Sequence, residues 1–159
     1  MHSFLKGLRS IVDKLILSFC GVALIVLVIT VTWQVFSRYV LNDPSSFTDE
    51  LSRYVMIWLG LLGASYLFGV RGHLAITLLA DSVPKQVNQV LQFAINALIL
   101  TFVSLAMFKG GVALIGRTMQ QFSPALQIPM GYVYCILPVS AVLITIYLLL
   151  NMLDSFYEK

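Results

Sequence analysis

The sequence predicts an all-α membrane protein: four transmembrane helices, with a short interfacial helix between the second and third. Three observations carry that reading. Of 159 residues, 59% are apolar and 11% charged, whereas water-soluble domains run about 45–50% and about 25%. A chain of this size buries roughly 70% of its unfolded surface on folding, too little to hide so much apolar area, and the mean hydropathy of +0.91 agrees. The segments 15–37, 54–70, 86–108 and 118–153 contain no Asp, Glu, Lys or Arg, and about 20 largely apolar residues cross the roughly 30 Å hydrocarbon layer.

A soluble enzyme and a free-standing nucleic-acid binder are thereby excluded as first readings. The net charge of +3 is small, and the basic residues are scattered rather than gathered in the stripe that tracks phosphates. No nucleic-acid partner is expected. Cys20 and Cys135 each stand alone in an apolar run, without C-x-x-C or metal-ligand spacing, and read as small buried hydrophobes. No catalytic group, cofactor or metal is expected.

Helix one, 15–37, follows Lys6, Arg9 and Lys14, an arrangement like the start of a signal peptide. The run is too long for that, and it closes on Trp33-Gln34-Val35-Phe36-Ser37-Arg38 without a small-residue cleavage site, so it reads as a retained anchor. Asn42-Asp43-Pro44 signals a turn. Ser46 and Asp49 have capping-box spacing, and Glu50 lies in the same first turn, where a helix dipole favours acids. Helix two is therefore expected to start near Ser46, outside the membrane, and to span about 50–70.

Gly72 and Pro84 bracket a segment too short to cross. Within it, Leu74, Ile76, Leu78 and Leu79 beside Thr77, Asp81 and Ser82 predict a helix lying at the interface, with a re-entrant turn as the alternative. Helix three is expected over 86–108. A polar, proline-punctuated loop follows from Thr118 to Pro129, and helix four is expected over 130–151, kinked near Tyr134 because Pro138 lacks a backbone donor. Residues 1–159 thus read as one four-helix membrane domain. Trp33, Tyr39, Tyr54, Trp58, Tyr132 and Tyr157 fall near span ends, where aromatic side chains favour headgroups.

Lys6, Arg9, Lys14, Arg71, Lys85 and Lys159 on one face outnumber Arg38, Arg53, Lys109 and Arg117 on the other. The positive-inside rule then puts both termini in the cytoplasm.

On these boundaries no ionisable group falls in the central part of a span. That argues against a four-helix multidrug exporter, which needs a membrane carboxylate, and against a haem-carrying anchor, which needs axial ligands within the bilayer. A quinone-linked thiol oxidoreductase would need a paired cysteine motif. Asn88, Gln92 and Asn96 recur at i, i+4 and i+8 on one face of helix three. They read as interhelical hydrogen-bonding groups, with a substrate or ion pathway as the alternative. Thr30, Gln34 and Arg38 repeat the spacing on helix one, and Gly60 and Ala64 give helix two a small-xxx-small site for close helix packing. The densest charge cluster is Arg38, Asp43, Asp49, Glu50 and Arg53 around the first outer turn. Local ion pairing and capping explain such a cluster; a docking surface for another protein is the competing reading.

Several segments together resemble the small membrane subunit of tripartite ATP-independent periplasmic (TRAP) transporters, the DctQ-like family. They are Phe-Ser-Arg-Tyr-Val-Leu-Asn-Asp-Pro at 36–44, Thr-Asp-Glu-Leu-Ser-Arg-Tyr at 48–54, Trp-Leu-Gly-Leu-Leu-Gly-Ala at 58–64, Arg-Gly-His-Leu at 71–74 and Ile-Pro-Met-Gly-Tyr at 128–132, ahead of Pro138. Their order around four spans makes the match specific. Phe47 departs from it, since a tryptophan is expected shortly before the acidic pair.

The resemblance implies a non-enzymatic subunit in a bacterial inner membrane. It implies a large transmembrane permease subunit and a periplasmic substrate-binding protein as partners, besides the lipid bilayer itself. A sodium gradient would drive uptake of an organic anion, sialic acid or a C4-dicarboxylate. Asp43, Asp49, Glu50 and Arg53, with Lys109 and Arg117 from the other outer loop, form the candidate docking set. Gly60, Ala64, Gln92 and Asn96 form the candidate helix-packing set. The alternatives are a self-sufficient small exporter or channel and the membrane anchor of a redox enzyme.

Overall fold

The computed structural model describes residues 2–70 and 85–157. The expected interfacial helix at 73–83 lies outside them. Among the described residues, four helical stretches are long and apolar enough to cross a membrane: Arg9–Tyr39, Ser46–Gly69, Phe93–Thr118 and Met130–Asn151.

Helix α1 runs from His2 to Tyr39. With no proline to interrupt it, it continues well before the charge-free run and takes in Arg9, Asp13 and Lys14. It ends where the Val40 N–H donates to the Phe36 carbonyl at 2.8 Å and Asn42 turns left-handed at φ 51°, a conformation that asparagine tolerates better than most residues. The reversal leads into α2, Ser46–Gly69. The cap of α2 is Ser45, whose hydroxyl accepts the Thr48 N–H at 3.5 Å. The capping box predicted from Ser46 and Asp49 is therefore corrected by one residue. Asp49 is released from that role and its carboxylate faces other partners.

The third membrane helix departs most from its predicted span. It begins as α3, Lys85–Phe102, widens into a π-helical segment, Val103–Lys109, and continues as α4, Gly110–Thr118. The Gly110 N–H reaches back to the Leu105 carbonyl, five residues earlier. Lys109 does not end this helix or stand in a loop, as its charge predicted. It lies within a continuous helix, two residues before Gly111. A Cβ on Gly111 would stand 3.0 Å from both Leu137 Cβ and Pro138 Cδ, so α4 approaches the fourth helix closely there.

That fourth helix is broken where proline chemistry predicts. Helix α5, Met130–Tyr134, and helix α6, Ile136–Tyr157, meet at Cys135. Pro138 has no N–H for the Tyr134 carbonyl, and the chain restarts with Val139 N–H on the Cys135 carbonyl at 3.3 Å.

Packing runs as a row: α1 on α2, α2 on α6, and α6 on the π segment and α4. Helix α6 is central and is buried on two sides. Ile136 and Tyr147 join Ile16 and Leu62 in one core cluster, while Ala141, Ile144 and Leu148 join Val103 in another. Helix α1, at the edge, leaves Leu15, Val22, Ile25, Val28 and Ile29 exposed.

Candidate functional site

The helix ends define two polar levels. The loop end carries the 40–45 and 119–129 connections; the terminal end carries the start of α1 and the end of α6.

At the loop end, Ser52 Oγ donates to Thr30 Oγ1 at 2.9 Å and Gln34 Nε2 donates to Asp49 Oδ1 at 2.6 Å, tying α1 to α2. Arg53 completes the group through a 2.8 Å ion pair with Asp49 Oδ2, the two side chains being 63% and 45% exposed. Such a pair contributes about 0–1 kcal/mol to folding. It leaves both charges presented outward. Asp43, Arg38 and Arg117 are likewise exposed.

Glu50 behaves differently, and its expected place among exposed docking charges is corrected. It is 6% exposed. Oε2 accepts the backbone N–H groups of Ala125 and Leu126, both at 2.8 Å, and Oε1 accepts the Tyr54 hydroxyl at 2.5 Å. The carboxylate thus satisfies two donors of a loop that has no helix of its own to satisfy them. The loop is shaped for this. Ser123 N–H donates to the Ile128 carbonyl at 3.0 Å, Met130 N–H to the Gln121 carbonyl at 2.8 Å, and Gln127 turns left-handed at φ 54°. Ser123, fully buried, accepts the Ile128 N–H on its hydroxyl at 3.3 Å.

Two aromatics assigned to headgroup belts have internal partners as well. Trp58 Nε1 donates to the Val133 carbonyl at 3.0 Å, in the short helix before the break, and the Tyr54 hydroxyl lies 3.2 Å from Met130 Sδ. Together with Glu50 they join α2 to the 119–129 loop and α5. The result is a hydrogen-bonded platform that carries the partly exposed Asp49 and the exposed Arg53.

At the terminal end, the Tyr147 hydroxyl donates to Asp13 Oδ1 at 2.5 Å, the Arg9 guanidinium donates to the Gly69 carbonyl, and Asn151 Nδ2 donates to the Phe68 carbonyl at 3.0 Å. Sequence reasoning missed this group altogether. The signal available was Asp13, an acid among the basic residues before the first apolar run.

The candidate helix-packing residues divide. Gly60 is exposed, with no heavy atom within 4 Å of a built Cβ, so no described part of this chain approaches it closely. Ala64 and Asn96 are half-buried. The side chains of Asn88 and Gln92 lie outside the described set. The close approaches that the fold does make are at Gly69, Gly111 and Gly131. Among the described residues no three His, Cys, Asp or Glu side chains gather as a metal site.

Four apolar spans in a row, with a hydrogen-bonded polar platform at one end, define a small multi-pass membrane protein. The family described as tripartite ATP-independent periplasmic transporters, DctQ component, matches residues 27–157, and the chain belongs to it. It is a small permease subunit of a TRAP transporter. Over 153 residues it is 26% identical to a protein of Haemophilus influenzae described as a TRAP transporter small permease protein, covering 96% of this chain and 94% of that one. It is 28% identical over 96 residues to the sialic acid TRAP transporter small permease protein SiaQ of Vibrio cholerae, covering 60% of this chain and 56% of that one. It also aligns with the isethionate TRAP transporter permease protein DctMQ of Oleidesulfovibrio alaskensis. There the identity is 24% over 138 residues, 82% of this chain but 22% of the longer protein.

Proposed function

We propose that this chain scaffolds the large permease subunit of a sodium-driven TRAP transporter that imports an organic anion, sialic acid or a C4-dicarboxylate, and that its loop end helps dock a periplasmic substrate-binding protein. In this reading the protein lies in a bacterial inner membrane with both termini cytoplasmic. The observation that carries the docking role is the Asp49–Arg53 pair, held out on a platform that Glu50 fixes from beneath. Asp43 and Arg117 extend the exposed charge at the same end.

The comparisons support the reading in three ways. The family description contains the words tripartite and periplasmic, which accord with a component outside the membrane. The relative named DctMQ is a permease of which this chain matches only 22%, as a small subunit joined to a large one would give. Sialic acid and isethionate appear in relatives' names, and both are organic anions.

Charged rims chiefly steer encounter and set register. Reversing the pair's environment with Asp43→Lys and Asp49→Lys together should lower uptake by the reconstituted complex when binding protein is limiting. The deficit should be larger at low salt than at high. Unchanged uptake at every binding-protein concentration, with the complex intact, overturns the docking role.

A further inference from the structure

We propose that Lys109 and the groove beside it receive a transmembrane helix of the large permease subunit, one that presents a carboxylate near the middle of the bilayer. The proposal rests on the reading of this chain as a partner of such a subunit, and it names the face and the chemistry of the contact.

The depth of Lys109 follows from contacts along the row. Tyr147 is hydrogen-bonded to Asp13 at the terminal end, and Met130 touches Tyr54 at the loop end. Pro138 lies nine residues from Tyr147 and eight from Met130, or about 13 Å and about 12 Å along a helix. Gly111 packs directly on Leu137 and Pro138. Lys109 lies two residues further toward the terminal end, which places it about 10 Å from the Tyr147 level and about 15 Å from the Met130 level. Its four-carbon stem extends about 6 Å, too short to carry the ammonium to either polar level.

An ionisable group at that depth normally faces a partner or a water-filled cavity. Lys109 is exposed on this chain and has no hydrogen bond or ion pair among the described residues. The described acidic side chains cannot supply one. Asp13 belongs to the terminal end, and Asp43, Asp49 and Glu50 belong to the loop end. A second copy inserted in the same sense presents no carboxylate at this level among its described side chains either, and the proposal assigns the complement to a different chain.

The surroundings fit a helix better than lipid alone. Lys109 is the last residue of a π-helical segment, a distortion that recurs at functional positions because it opens the regular ladder. Phe108, next to it, lines a groove of about 240 Å³ that Ser104 and Val142 also line, between the π segment and α6. Phe108 and Val142, which line it, are both 46% exposed. An apolar groove with a cation one residue beyond Phe108, which lines it, matches a helix that is apolar except for one acid.

The test uses the full chain co-expressed with its large permease subunit. A photo-crosslinking phenylalanine at Phe108 or Val142 should give a covalent adduct with the permease, and Lys109→Met or Lys109→Glu should cut recovery of the detergent-solubilised complex at least fivefold. Lys109→Arg should retain most of it. The small subunit purified alone should melt at the same temperature with Met at 109 as with Lys, which separates assembly from folding. A permease substitution of the facing acid to lysine should restore recovery with Lys109→Glu. If the wild-type subunits do not co-purify, the subunit reading fails and this proposal with it. If they do, yet Lys109→Met is recovered at the wild-type level, or the adducts are with lipid or with a second copy only, this proposal alone is overturned.

Discussion

Tyr147 occupies the space that a side chain on Gly69 would need: a Cβ built there stands 2.6 Å from Tyr147 Cε1. The same ring sends its hydroxyl to Asp13 on α1. One tyrosine of the central helix therefore engages both α1 and α2, and it reaches α1 past position 69 because that position has no side chain. Removing that permission gives the sharpest stability test.

Gly69→Ala should push the ring away and destabilise the isolated subunit by about 1–3 kcal/mol, the usual cost of overpacking. Gly60→Ala, where a built Cβ meets nothing within 4 Å, should be neutral or raise stability by roughly 0.5–1 kcal/mol through the unfolded chain. Thermal melts in one detergent compare the two. Equal melting temperatures would remove the close approach as a determinant of the fold.

Glu50→Ala should free the 119–129 loop while leaving α2 intact, since the carboxylate is a principal acceptor for two of its N–H groups. Hydrogen exchange at the Ala125 and Leu126 amides should accelerate roughly tenfold, with exchange in α6 unchanged. Glu50→Gln, which keeps one acceptor oxygen, should fall between.

Ser52→Ala and Thr30→Val each remove one side of the 2.9 Å hydroxyl contact between α1 and α2. A double-mutant cycle should return a coupling of about 0.6–1.7 kcal/mol, the range for hydrogen bonds between membrane helices. A coupling of zero would mean that each hydroxyl is satisfied within its own helix, through the Thr30 contact with Val26 and the Ser52 contact with Thr48.

The topology is testable with cysteines at exposed positions. Ser46→Cys and Gln121→Cys should label from the periplasmic side and Ser10→Cys should not, all three side chains being exposed. Ser123 cannot report, because its hydroxyl is buried at 0% exposure. Labelling of Ser10→Cys from outside would invert the proposed orientation.

Four spans were legible because hydrocarbon tolerates few charges, so charge spacing along the chain mirrors passage through the bilayer. The broken fourth helix was legible because proline lacks a donor wherever it stands. The turn at Asn42 was legible for a similar reason, as a property of the residues themselves. All of these depend on neighbours close in sequence.

The rest was settled by contacts between residues far apart. Ser45 rather than Ser46 caps α2, because the reversal after α1 holds the Ser45 backbone in an extended conformation and leaves its hydroxyl facing the Thr48 N–H. Glu50 reads as a surface acid until the fold brings the Ala125 and Leu126 amides, some 75 residues on, within hydrogen-bond distance. Lys109 reads as the edge of a span until the helix is seen to continue through it to Thr118, with Gly111 packed closely against Pro138. Composition and spacing determined by themselves that this chain crosses a membrane four times, since that is a transfer equilibrium each segment satisfies alone. Which polar groups face inward and which stay exposed was decided only by tertiary structure, because a hydrogen-bond partner or a close helix contact is a property of two segments and is written in neither.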